Sequence, residues 1–130
     1  MDCGITPLDW SSGALAEGLA CYRGGEFFLA HEHWESVWLG LQEPEKSFLQ
    51  GLIQLAAAFH HLRRGNAAGA TSLLRRALRR LESRPAVFGG IAVALLRADV
   101  RDWLCRLENG GSDIPQDFPQ IRPIEQSSEP

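Results

Sequence analysis

No C-x-x-C pair occurs in this chain, and its three cysteines, Cys3, Cys21 and Cys105, are odd in number and widely separated. Such spacing gives no support to zinc or redox chemistry and is expected of reduced thiols in a cytosol. The N-terminus lacks a basic segment followed by an apolar run, so no signal peptide is expected. Long apolar runs are missing too: the most apolar stretch, Leu52 to Leu62, contains two histidines and is far too short to span a bilayer. A cytoplasmic protein without a membrane segment is the expectation. No phosphate loop is visible, because Gly65-Asn66-Ala67-Ala68-Gly69 lacks the lysine and the preceding strand. Neither Ser36 nor Ser47 sits in a glycine elbow, and Cys21 has no histidine at a readable spacing, which argues against nucleophilic catalysis. Lysine is nearly absent, with Lys46 alone beside twelve arginines. That imbalance follows from a composition bias as readily as from phosphate binding.

What is there suits one soluble domain. At 130 residues, a chain can bury roughly two-thirds of its unfolded surface without help from metal or disulfide. The 45% hydrophobic and 22% charged shares are ordinary for a globular protein. A net charge of −3 makes no case for nucleic acid. Arg63, Arg64, Arg75, Arg76, Arg79, Arg80 and Arg84 crowd one stretch, which reads first as a solvated face balanced by acids elsewhere in the fold.

Apolar periodicity and stop signals predict an all-α fold of about five helices. Asp9 or Ser11-Ser12 caps a first helix from about Gly13 to Arg23, stopped by Gly24-Gly25. A second starts near Glu26 and ends before Pro44. A third, about Glu45 to Arg64, is apolar nearly all round and belongs in the middle. Gly65 ends it, and Asn66 can cap a fourth from about Ala67 to Ser83, closed by Pro85. Ile91 to Glu108 reads as the fifth. No strand is predicted. Arg23, Gly25, Ala30, Trp34 and Trp38 correspond at a spacing of forty to Arg63, Gly65, Ala70, Leu74 and Leu78. This weak repeat predicts a compact bundle of two helical hairpins, tetratricopeptide-like in spacing, plus a C-terminal helix. Residues 9–108 make one helical domain. Residues 109–130 form a proline-rich extended arm, in which Ile114, Phe118, Ile121 and Ile124 alternate with Pro115, Pro119 and Pro123 and place part of the arm on the body.

The chemistry-bearing residues fall on the second and third helices. His31 and Glu35 are four residues apart on the stripe that carries Phe27, Trp34 and Trp38, so they are expected to be sheltered and to satisfy each other. Gln50, Gln54 and His61 fall near one line on the third helix. If the two helices are antiparallel, that line can face His31 and Glu35, with Gly51 allowing close approach. The resulting His31/Glu35/Gln50/Gln54/His61 cluster, walled by Trp34, Trp38 and Phe59, is either a small polar pocket or a hydrogen-bond network that fixes helix register. The zinc-protease motif H-E-x-x-H is absent, since its fifth position here is Glu35, and no metal or other cofactor is assigned.

The run His31-Glu32-His33-Trp34-Glu35-Ser36-Val37-Trp38, followed by Phe48-Leu49-Gln50-Gly51-Leu52-Ile53-Gln54, closely resembles the bacterial and archaeal family catalogued as domain of unknown function 309. The resemblance covers about Ala14 to Leu81 well and Gly90 to Leu104 more loosely. It implies a small all-helical domain with H-E-x-x-E-x-x-W and F-L-Q-G-L-I-Q elements, and no particular activity. The function expected is a binding or interaction module with Trp34, Trp38, Gln50, Gln54 and Phe59 around an unknown small molecule or protein. Self-association is compatible with the sequence. The rival is a small hydrolase using Glu35 with His31 or His61, with or without a metal ion. Nucleic-acid binding through Arg75, Arg76, Arg79 and Arg80 is a third reading and is not expected.

Overall fold

Two glycines forty residues apart shape the chain into paired hairpins. The computed structural model describes residues 8–110 and 118–124. Its helices are α1 (Gly13–Arg23), α2 (Phe27–Trp38), α3 (Glu45–Arg63), α4 (Ala67–Glu82) and α5 (Val93–Glu108), with short strands β1 (Val87–Phe88) and β2 (Ile91–Ala92) before α5. After α1, Gly25 adopts φ +82 and after α3, Gly65 adopts φ +84, a left-handed conformation that costs an L side chain roughly 1–2 kcal/mol. Each turn closes the same way. Gly25 and Glu26 donate to the carbonyls of Tyr22 and Cys21, and Gly65 and Asn66 donate to those of Leu62 and His61. These are paired 5→2 and 6→1 bonds that satisfy the last carbonyls of a helix. Asn66 then caps α4, its Oδ1 accepting from the Gly69 N–H at 2.9 Å. Asp9 does not cap α1 and instead holds the preceding turn, accepting from the hydroxyls of Ser11 and Ser12.

The almost wholly apolar α3 lies between α2 and α4, while α1 covers α2 and α5 covers α4. Gly51 marks the closest approach: a Cβ there would stand 3.2 Å from the Arg80 Cβ and 3.6 Å from the Ala77 carbonyl on α4. At the other side of the bundle Trp34 is completely buried. Its indole N–H donates to the Leu15 carbonyl at 3.2 Å, and the ring lies against Gly18, where any Cβ would overlap it. Tyr22, Phe27, Phe59 and Phe118 extend this aromatic core with edge and tilted contacts.

The structure corrects two expectations. The fifth helix begins at Val93 rather than Ile91, and the chain before it forms an antiparallel hairpin in which Val87 pairs with Ala92 and Phe88 with Ile91. Gly89 and Gly90 make its two-residue turn, both with positive φ, the backbone sense that matches strand twist. The arm meets this hairpin. Ala92 donates to the Arg122 carbonyl and Ile124 to that of Gly90, Pro123 bridges to Ile91, and Ile121 is fully buried. The Tyr22 hydroxyl donates to the Pro119 carbonyl at 2.6 Å, and burial, followed by the nearby Asp99 charge, pushes that phenol well above its ordinary pKa. Cys3, Ile114, Pro115 and the last residues of the arm lie outside the described residues.

Candidate functional site

The residues singled out from the sequence fall into three places rather than one. On α2, Phe27, Ala30 and Trp34 face the core. A step of four residues turns about 40° past a full circle, so His31 and then Glu35 drift from that stripe toward solvent. The His31 side chain is 26% exposed and Glu35 52% exposed, with Nε2 and Oε2 4.0 Å apart. Among the described residues no histidine, amide or charged side chain is fully buried, so the sheltered His31/Glu35/Gln50/Gln54/His61 cluster does not form. Phe28 stacks beside His31 and contacts His60. Desolvation there, with Arg64, His61, Arg63 and His31 adding positive charge nearby, lowers the His60 pKa. Among the described residues His31, Glu32 and Glu35 each offer one ligand atom, all within 4.8 Å of one another, and could hold a cation.

The aromatic walls are elsewhere. Trp34 and Phe59 are 0% and 1% exposed in the apolar core and cannot touch a ligand from solvent. Trp38 is half-buried, donates to the Lys46 carbonyl at 3.0 Å, and carries the Lys46 ammonium over its ring.

The Gln50–Gln54–His61 line does exist, but it faces α4 instead of α2. His61 meets Asn66 at the start of α4, Nδ1 to Nδ2 3.2 Å, and Gln54 Oε1 accepts from Arg80 Nε at 3.2 Å. Gly51, on the same side of α3, is the reason: the helix that comes close is the one whose backbone fills the missing side chain's space. Gln50 and Gln54 thus form the floor of a cleft of about 710 Å³ between α3 and α4. Glu43, Pro44 and Ser47 line one lip, and Arg76, Arg79, Arg80, Ser83 and Arg84 the other.

These arginines are the functional candidates missed from the sequence, where they read as a solvated face. The signal lay in their spacing, 76, 79, 80 and 84, which repeats along one side of a helix. Other arginines are engaged: Arg75 pairs with Glu108 at 2.6 Å, Arg101 with Glu82 at 2.9 Å, and Arg97 donates to the carbonyls of Leu81 and Arg84. Arg84 lies over the Phe88 ring and Arg80 is oriented by Gln54. Arg76 and Arg79 have neither an acid nor a hydrogen-bond acceptor among the described residues. Across from them Glu43 Oε1 accepts from the Ser47 N–H at 3.0 Å. Hydrogen bonds from Ser47, more than the charges of Arg80 and Lys46, hold that carboxyl below its usual range. The cleft can therefore receive negative charge on one side and hydrogen-bond donors on the other.

Residues 15–73 match the model of the family described as domain of unknown function 309. Over that stretch the chain is similar to this family. An uncharacterized protein of Aquifex aeolicus (strain VF5) is 33% identical over 97 residues, which is 74% of this chain and 29% of that protein. The chain thus spans less than a third of the length of its curated relative. Within the DUF309 match lie the α2 motif and the Gln50/Gln54 floor. The arginine wall, beginning at Arg76, lies beyond it.

Proposed function

We propose that this DUF309-like domain is a binding module and that its ligand site is the arginine-walled cleft between α3 and α4, which takes an anionic partner. The observation that carries the reading is the pair Arg76 and Arg79, two guanidinium groups without partners among the described residues, at the edge of a concave, polar surface. Guanidinium forks suit carboxylate and phosphate oxygens, and charge-assisted hydrogen bonds are the stronger kind. The hydrolase reading has less support, because the His61 side chain is turned to Asn66 and no contact joins it to the His31/Glu35 pair among the described residues.

Calorimetric titration with pyrophosphate tests the proposal. The Arg76→Gln/Arg79→Gln double variant is expected to bind about tenfold more weakly or worse, equivalent to a loss of roughly 1.4 kcal/mol. Added salt is expected to weaken the wild-type interaction, since the charges are at the surface. Undiminished affinity in the double variant would move the site elsewhere.

A further inference from the structure

The rest of the cleft restricts what its anionic ligand carries, and the following step rests on the cleft being the ligand site. Apart from Pro44, every lining side chain is polar. Among the described residues no aromatic ring lines it, so a nucleobase lacks the aromatic platform whose contact is worth about 1–3 kcal/mol per base in single-strand binders. A long apolar tail likewise finds only Pro44 and the carbon stems of polar side chains.

The neutral groups are of one kind. Gln50 makes no hydrogen bond among the described residues, and Gln54 spends its carbonyl on Arg80 while keeping its amide N–H groups. The Ser47 and Ser83 hydroxyls are already spent as donors, on Glu43 and on the Arg80 carbonyl, so the amides are the groups left to meet a ligand. The Gln50 amide can both donate and accept and the Gln54 amide can donate, which matches the dual character of an alcohol. Glu43 sharpens the selection. It faces the arginines yet forms no ion pair with them among the described residues, and the Ser47 N–H fixes one of its oxygens. A bare anion would meet this carboxylate unfavourably, whereas ligand hydroxyls can donate to it.

We infer that the cleft binds a phosphate monoester of a polyol or sugar, with the phosphate on Arg76 and Arg79 and the hydroxyls on Glu43 and Gln50.

Titration with glucose 6-phosphate, ribose 5-phosphate, AMP, inorganic phosphate and glucose, followed by heteronuclear NMR and calorimetry, tests this. At least one sugar phosphate is expected to bind about tenfold tighter than inorganic phosphate, AMP no tighter than ribose 5-phosphate, and glucose not measurably. Glu43→Gln, an isosteric change at an exposed position, is expected to erase the advantage of the sugar phosphate while leaving inorganic phosphate bound as well or better. Gln50→Ala gives the same direction from the cleft floor. Inorganic phosphate equal to both sugar phosphates, or AMP stronger than ribose 5-phosphate, overturns the inference and leaves the anion-binding reading standing. If no phosphate-bearing probe shifts the resonances of Arg76 or Arg79, both fall.

Discussion

Gly18 is the residue that lets Trp34 reach the Leu15 carbonyl, since the indole occupies the space a side chain would take. Gly18→Ala improves helix propensity and still should destabilise the protein by about 1–3 kcal/mol through overpacking, readable as a lower urea midpoint. Glu35→Ala should behave in the opposite manner. A sheltered ion pair would lose several kcal/mol on truncation, but Glu35 is half in solvent, so the cost should stay below about 1 kcal/mol. His60 gives a pH signature. Its folded pKa lies below the ordinary value of 6.5, so between that value and its folded pKa the unfolded chain takes up more protons and stability falls as the pH drops. A His60→Gln variant should flatten this part of the wild-type denaturation profile, and an unchanged slope would show that His60 titrates normally when folded. His31 and Glu35 mislead at this scale because a stripe of bulky aromatics looks wider in sequence than the surface it buries.

Elements were legible where backbone chemistry punctuates them. Gly25, Gly65 and Asn66 announced both hairpin turns, and the forty-residue correspondence is the same turn built twice. The apolar residues spaced between the prolines anticipated that part of the arm would lie on the body, and Ile121 is fully buried there. Ile121→Ala should therefore cost about 2–5 kcal/mol, measured by thermal or urea unfolding, whereas a merely draped arm would tolerate it. The hairpin at Val87–Ala92 escaped notice because two-residue strands are too short to display alternation, although Gly89-Gly90 is a turn pair. The facing of α3 was missed for a related reason. Periodicity groups Gln50, Gln54 and His61 on one line, but only the position of α4 against Gly51 decides which neighbour that line meets.

For the molecule as a whole, a helical bundle with α3 at its centre follows from apolar patterning alone, and the structure contains it with the short β1–β2 hairpin added. The cleft does not follow from patterning, because it joins the α2–α3 connection, one side of α3 and the outer arginines of α4, segments that no local pattern relates. The two ends of the described body also come together. Leu8 lies against the Gly89-Gly90 turn, and Ile124 hydrogen-bonds to Gly90, while the neighbouring Phe88 supports Arg84 of the cleft. Entry and exit thus share one doorway. A change at Gly89 or Gly90 should therefore be felt at Arg84, because the same short turn seats Leu8, holds Ile124 and carries the ring beneath that guanidinium.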